Sequence, residues 1–270
     1  MTELVDLDEP GIGRLCHLNY LEFSRELARW SGPSGAIDEH GGAMMFATGT
    51  PFPVTCNGVA RLDPTVAAAR VIEAADEWFA THDRGYSALI CGLEDVDADM
   101  ALAAAEAGLL EISSSPAMVC ARPLDPVVLP PGVELSWLGE DADVSDFVNI
   151  CDASYQSLGM PADVIVELVR DPARVVEPHL RTVVARLEGQ PVACAQLLLS
   201  HGIAGVYFVG TVEAARGRGL AELVTRAVTN LGFELGAPFV TLQASSMGES
   251  IYRRMGYVEL YRYTTFTRFV

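Results

Sequence analysis

The chain has 270 residues, half of them apolar and a fifth charged, with 36 acidic and 18 basic residues and a net charge of −18. That length suits about two domains. The composition excludes a disordered or collagen-like chain, and the acidity excludes a protein that holds nucleic acid by phosphate contacts. All the basic residues are arginine, and an acidic surface of this kind is compatible with a cationic partner. The charge is uneven: residues 1–130 hold 20 acidic and 7 basic residues, whereas residues 211–270 hold 5 and 7. An anionic ligand is therefore expected at the C-terminal end. Cys16, Cys56, Cys91, Cys120, Cys151 and Cys194 include no closely spaced pair, so neither a disulfide framework nor a structural metal is expected. The opening residues, Met1 to Asp6, are acidic with no apolar run behind them, which argues against a leader and for a cytoplasmic location. Residues 189–212 carry no formal charge, but Ser200-His201-Gly202 divides them into two strand-length runs, a hairpin rather than a membrane span.

In chain order, His40-Gly41-Gly42 and residues 49–53 read as loops, and Met44-Met45-Phe46 as core. Residues 54–62 lead as a strand into a helix over 65–82, followed by a strand over 86–91. Glu94 to Asp99 form an acidic run without the glycine or the terminal glutamate of a calcium loop, and read as a solvated face. A short helix over 100–107 ends at Gly108-Leu109, and a strand follows over 110–121. Pro123, Pro126, Pro130, Pro131 and Gly132 mark a linker. Beyond it come a strand over 133–138, helices over 143–158 and 162–169, and strands over 179–187, 192–199 and 203–212. Leu220, Leu223, Val224, Ala227, Val228 and Leu231 form the apolar stripe of a helix over 220–235. A strand over 239–244, a short helix over 249–255 ending at Gly256-Tyr257, and a long strand over 258–269 complete the chain. Helix, strand, short helix, Gly-apolar and strand thus occur twice, the pattern of an internal duplication.

The chemistry concentrates where a strand gives way to the helix at 220. Arg216-Gly217-Arg218-Gly219-Leu220-Ala221 can close backbone N–H groups round an anion at a helix N-terminus, beside two arginines. It is neither a Walker loop, since the chain has no lysine, nor a dinucleotide fingerprint, since Glu222 replaces the third glycine.

Over residues 133–270 the chain resembles the GNAT superfamily of acyl-CoA-dependent N-acyltransferases. Arg216 to Ala221 match its Arg/Gln-x-x-Gly-x-Gly/Ala signature, and Tyr252-Arg253-Arg254-Met255-Gly256-Tyr257 match its Tyr-x-x-x-Gly-aromatic element. The resemblance implies that the amides of Arg216, Gly217, Arg218, Gly219, Leu220 and Ala221 hold the pyrophosphate of acetyl-CoA. It also implies that the backbone of Val209, Gly210 and Thr211 meets the pantetheine arm, and that Tyr252 is the acid for the leaving thiolate. Ser245 stands where the family often has asparagine. The base stays open: His201, His179 and Glu249 are candidates, and a water relay or capture of an already neutral amine serves equally.

The first half lacks the signature. Its strand-to-helix turn reads Leu62-Asp63-Pro64-Thr65, where Asp63 repels phosphate and Pro64 has no N–H, and Ala104 to Gly108 include no tyrosine. The expectation is an α/β protein of tandem GNAT-like domains, each a mixed, mostly antiparallel sheet flanked by helices. Residues 1–126 would be a degenerate repeat without a coenzyme A site, and residues 127–270 the acyl-CoA-binding domain. Its function would be acetyl transfer to an amine, without metal, nucleic acid or membrane, as a monomer or homodimer. The alternative is a non-enzymatic acyl-CoA-binding or regulatory protein.

Overall fold

The computed structural model describes residues 9–139 and 143–270, so the opening residues that argued against a leader lie outside the described part. The first half contains α1 (Glu9–Trp30), the hairpin β1 (Ala36–His40) and β2 (Ala43–Ala47), β3 (Gly58–Arg61), α2 (Ala68–His82), β4 (Tyr86–Cys91), α3 (Ala98–Glu106) and β5 (Leu110–Cys120). The second half contains β6 (Val133–Trp137), α4 (Ser145–Tyr155), α5 (Val164–Leu168), α6 (Pro172–Val175), β7 (Leu180–Leu187) and β8 (Gln190–Ser200). It continues with β9 (Ile203–Thr211), α7 (Leu220–Glu234), β10 (Val240–Gln243), α8 (Glu249–Met255) and β11 (Val258–Arg268). The uncharged run over 189–212 is the expected hairpin, turning at His201 and Gly202, both with positive φ. No helix among the described residues is long and apolar enough to cross a membrane.

The duplication is visible in the backbone. In each half a helix of 15 residues, α2 or α7, joins two parallel strands, β3 and β4 or β9 and β10. Parallel neighbours require such a crossover. A short helix and an 11-residue strand, β5 or β11, then follow. These two final strands change places. Among the described residues all eleven strands form one sheet in the order β1-β2-β3-β4-β11-β5-β10-β9-β8-β7-β6. The last strand of the chain pairs with β4 of the first half, Tyr263 opposite Cys91, and β5 pairs with β10 of the second, Cys120 opposite Val240.

The sheet is covered on both faces, so its central strands are continuously apolar rather than alternating. Val183, Ala193, Ala195 and Leu197 pack under α7, while Val184, Cys194 and Leu198 pack on the opposite face with α1 and α4. In the first half α2 and α3 cover Met45, Val59 and Ile90, and α1 covers Met44, Phe46 and Ala60. Helix α1 therefore spans the seam and contributes to the core of both halves.

The acidic run at 94–99 differs from the solvated face expected. Asp97 is buried and accepts from Arg61 Nε at 2.9 Å and from the Cys91 amide at 3.1 Å, while Asp99 takes two further hydrogen bonds from the same guanidinium. Arg61 is itself buried on β3, so the acidic run supplies the counter-charge that its burial demands. Replacing Arg61 by Met is expected to cost about 3–5 kcal/mol, because Asp97 is left buried and unpaired. Urea unfolding of the variant checks this; a loss within error of zero would show that Asp97 escapes to solvent.

Candidate active site

The anion cradle forms where β9 ends. A 3₁₀ turn over Glu213–Ala215 leads to Gly217 and Gly219, both at φ +74°, and Gly219 caps α7 without help from any side chain. The first bond internal to the helix runs from the Leu223 amide to the Gly219 carbonyl at 3.0 Å. The amides of Leu220, Ala221 and Glu222 therefore project from the helix end, where the dipole is positive. A Cβ built at Gly217 or Gly219 would meet no atom within 4 Å, so the glycines are set by backbone conformation and the space above them is open to a ligand. Arg218 is exposed beside this space. Arg216 is turned away from it: Nε donates to the Thr211 carbonyl at 3.2 Å, and Nη2 to the Ser154 carbonyl at 3.2 Å and Ser157 Oγ at 2.8 Å. Its side chain braces the loop against the end of α4.

Below the cradle, β9 and β10 part. They pair only from Ala204–Val240 to Val206–Leu242, so Val209, Gly210 and Thr211 lie beyond the last rung. On its other side β9 bulges, with Phe208 and Val209 together opposing Ala195 of β8. Phe208 takes φ +52°, a left-handed backbone that costs a bulky residue about 1–3 kcal/mol. Its ring lies 5.2 Å from Trp30, 5.5 Å from Phe23 and 5.6 Å from Phe147, and this packing holds the strained residue in place. Gly210 is required by closeness, since a Cβ there would lie 2.5 Å from Ser154 Oγ.

Tyr252 projects from α8 and is buried, and burial pushes its phenol up to about 12. It is therefore protonated at neutral pH and able to donate. Ser245 Oγ accepts from the Gly248 amide at 3.2 Å, a local bond that shapes the entry to α8. Val209, Ser245 and Tyr252 line one cavity of about 350 Å³, together with Tyr20 and Phe23 of α1 and Asn57 of the first half. The sequence-derived residues thus divide between two places, the cradle (Gly217 to Ala221) and the wedge cavity (Val209, Ser245, Tyr252), with Gly210, Thr211 and Arg216 forming the framework between them.

None of the proposed bases lines this cavity. His201 is exposed in the β8–β9 turn, His179 Nε2 lies 3.2 Å from Glu26, and Glu249 pairs with Arg253. Nor does any acidic side chain line it among the described residues, so the acidity of residues 1–130 offers no counter-charge to a cationic acceptor there. What the sequence reading missed is α1. It supplies a wall of the cavity, and its His17 Nδ1 lies 2.8 Å from the hydroxyl of Tyr263, a lining residue.

At the matching turn of the first half the anion position is occupied internally. The Leu62 and Asp63 amides donate to the Gly42 carbonyl, and the Asp63 carboxylate accepts from both the amide and the hydroxyl of Thr65. These bonds from Thr65 hold that carboxyl below its usual range, keeping a negative charge where a phosphate would need donors.

Residues 146–257 match the family model described as acetyltransferase (GNAT) family. No curated protein matches the chain. Among solved structures the chain is similar to a GCN5-related N-acetyltransferase from Kribbella flavida, with 22% identity, a TM-score of 0.69 and coverage of 93% of this chain and 94% of that one. A GCN5-related N-acetyltransferase from Sphaerobacter thermophilus matches at 16% identity and a TM-score of 0.65, covering 89% and 83%. A tandem GNAT protein from the clavulanic acid biosynthesis pathway matches at 16% and 0.58, covering 94% and 87%. At these identities the structures share the fold, and the family match lies over the half that holds the cradle. Residues 146–257 thus match the GNAT family, and over nearly its whole length the chain shares the fold of these GNAT proteins, a tandem one among them.

Proposed function

We propose that the protein transfers an acetyl group from coenzyme A to an amine, with one active site per chain. The observation that carries this reading is the open, uncapped N-terminus of α7 leading into the wedge between β9 and β10, with Tyr252 at its wall. The amides of Gly217 to Ala221 bind the pyrophosphate of the substrate, and Arg218 adds charge. The parted strands receive the pantetheine arm along Val209 to Thr211. The Tyr252 hydroxyl gives its proton to the thiolate as the C–S bond breaks. Residues 127–270 act as the acyl-CoA domain, and residues 1–126 as a repeat without a coenzyme A site that shapes the acceptor side.

The uncharged cavity favours one rival: a protein that binds acyl-CoA without turnover, since no base is placed to take a proton from an ammonium. Thiol release from acetyl-CoA, measured with a mixed panel of amines, separates the two. Amine-dependent release is the expected result. Binding without release over the whole panel would establish the rival.

A further inference from the structure

The acceptor side of the cavity is built without charge. Among the described residues no Asp, Glu, Arg or His side chain lines it, and the chain has no lysine. Two carboxylates of α1 are engaged elsewhere, Glu22 with Arg25 and Arg29, and Glu26 with Arg29 and His179. The imidazole of His17 stands behind Tyr263, and burial pushes it down to about 4, so it is neutral at physiological pH.

Aromatic rings and neutral polar groups take the place of charge. Phe23 stacks on Tyr207 at 3.9 Å, and Tyr20 lies 4.8 Å from Tyr263. Thr265 of β11 opposes Ser113 of β5, and Tyr263 opposes Ser115, so these four side chains share the face of the seam that lines the cavity. Gln243 also lines it, and both atoms of its side-chain amide are buried with no hydrogen-bond partner. A buried amide in that state is a donor and an acceptor open to a polar group of the ligand.

An alkylammonium entering this space would lose its hydration with no carboxylate to replace it. Shedding its proton first is no remedy, because an amine with a lysine-like pKa is neutral in only about one molecule in 2,500 at pH 7. An aromatic amine has its lone pair delocalised into the ring, is uncharged at neutral pH, and needs no base before it attacks. We infer that the acceptor is a small aromatic amine bearing a neutral hydrogen-bonding substituent, and that polyamines, aminosugars and lysine side chains are excluded. This rests on the acyl-transfer reading. In the step, the amine nitrogen forms the C–N bond and the C–S bond breaks. The thiolate takes the Tyr252 proton, and the surplus proton on nitrogen passes to water, from which Tyr252 is reprotonated. The products are an anilide and free coenzyme A.

A matched pair tests this: 4-aminobenzamide, uncharged at pH 7, and 4-(aminomethyl)benzamide, one methylene longer and cationic, with spermidine as a polycation. Thiol release from acetyl-CoA gives kcat/KM for each, and calorimetry gives their binding to the full chain saturated with coenzyme A. The expected result is a preference of at least about tenfold for 4-aminobenzamide, although the aliphatic amine is the stronger nucleophile. Ser113→Asp, at an exposed position on the cavity face, should move that ratio toward the cationic amine by about 5- to 10-fold. Preference for 4-(aminomethyl)benzamide or spermidine overturns the inference, as does failure of 4-aminobenzamide to bind. Binding of 4-aminobenzamide alone, with no thiol release from it or from any amine of the panel, upholds the ligand class and refutes acyl transfer.

Discussion

Gly219→Asp should weaken coenzyme A binding by about 1000-fold while leaving the fold intact. The position has φ +74° and open space above it, and aspartate is among the residues that best tolerate a left-handed backbone, so the free chain accommodates the change. The bound pyrophosphate does not. A carboxylate placed about 4 Å from one phosphate charge near a protein surface costs about 4 kcal/mol, which is close to a thousandfold in affinity. Gly219→Asn adds the same bulk without the charge and should lose much less. Calorimetry on folded protein reads both variants. Equal affinity in wild type and Gly219→Asp would remove the cradle from the account.

Tyr252→Phe should lower turnover by about 10- to 1000-fold, at or a little below the usual range for a general acid, and should leave acetyl-CoA affinity unchanged. The substitution deletes one hydroxyl from a buried ring and little volume. The phenol, pushed up to about 12 by burial, holds its proton at neutral pH and so stands in the acid form when the C–S bond breaks. Pre-steady-state thiol release separates this step from product dissociation. Undiminished release in the Phe variant would mean that the thiolate leaves by another route.

The parts legible in the sequence are those with a local signature. The stripe from Leu220 to Leu231 placed α7, the span of α8 coincided with its prediction, and Gly217 and Gly219 were readable because only glycine takes a positive φ without cost. Helix α1 was not legible because it is buried on several sides. Asn19, Ser24 and Glu26 are as enclosed as Leu21 and Leu27, so no single apolar stripe emerges. The exchange of β5 and β11 is a matter of long-range pairing, which neither periodicity nor spacing records. The strained Phe208 looks in sequence like any apolar strand residue, and the Arg61–Asp97 pair is hidden because the acidic run around it has the composition of a solvated loop. The missed elements bear most directly on the acceptor. Its cavity draws walls from α1 and from both exchanged strands, and so from the parts of the chain that carry no motif.

Calorimetric titration of the full chain with acetyl-CoA tests the central claim most directly. The second half presents projecting amides at an uncapped helix end, within the final 60 residues, which hold 7 basic and 5 acidic residues. The first half presents Asp63, already bonded to Thr65, and Pro64, which has no N–H to offer. The account predicts one acetyl-CoA per chain, lost in Gly219→Asp. A stoichiometry near two, or one site that persists in that variant, would contradict it.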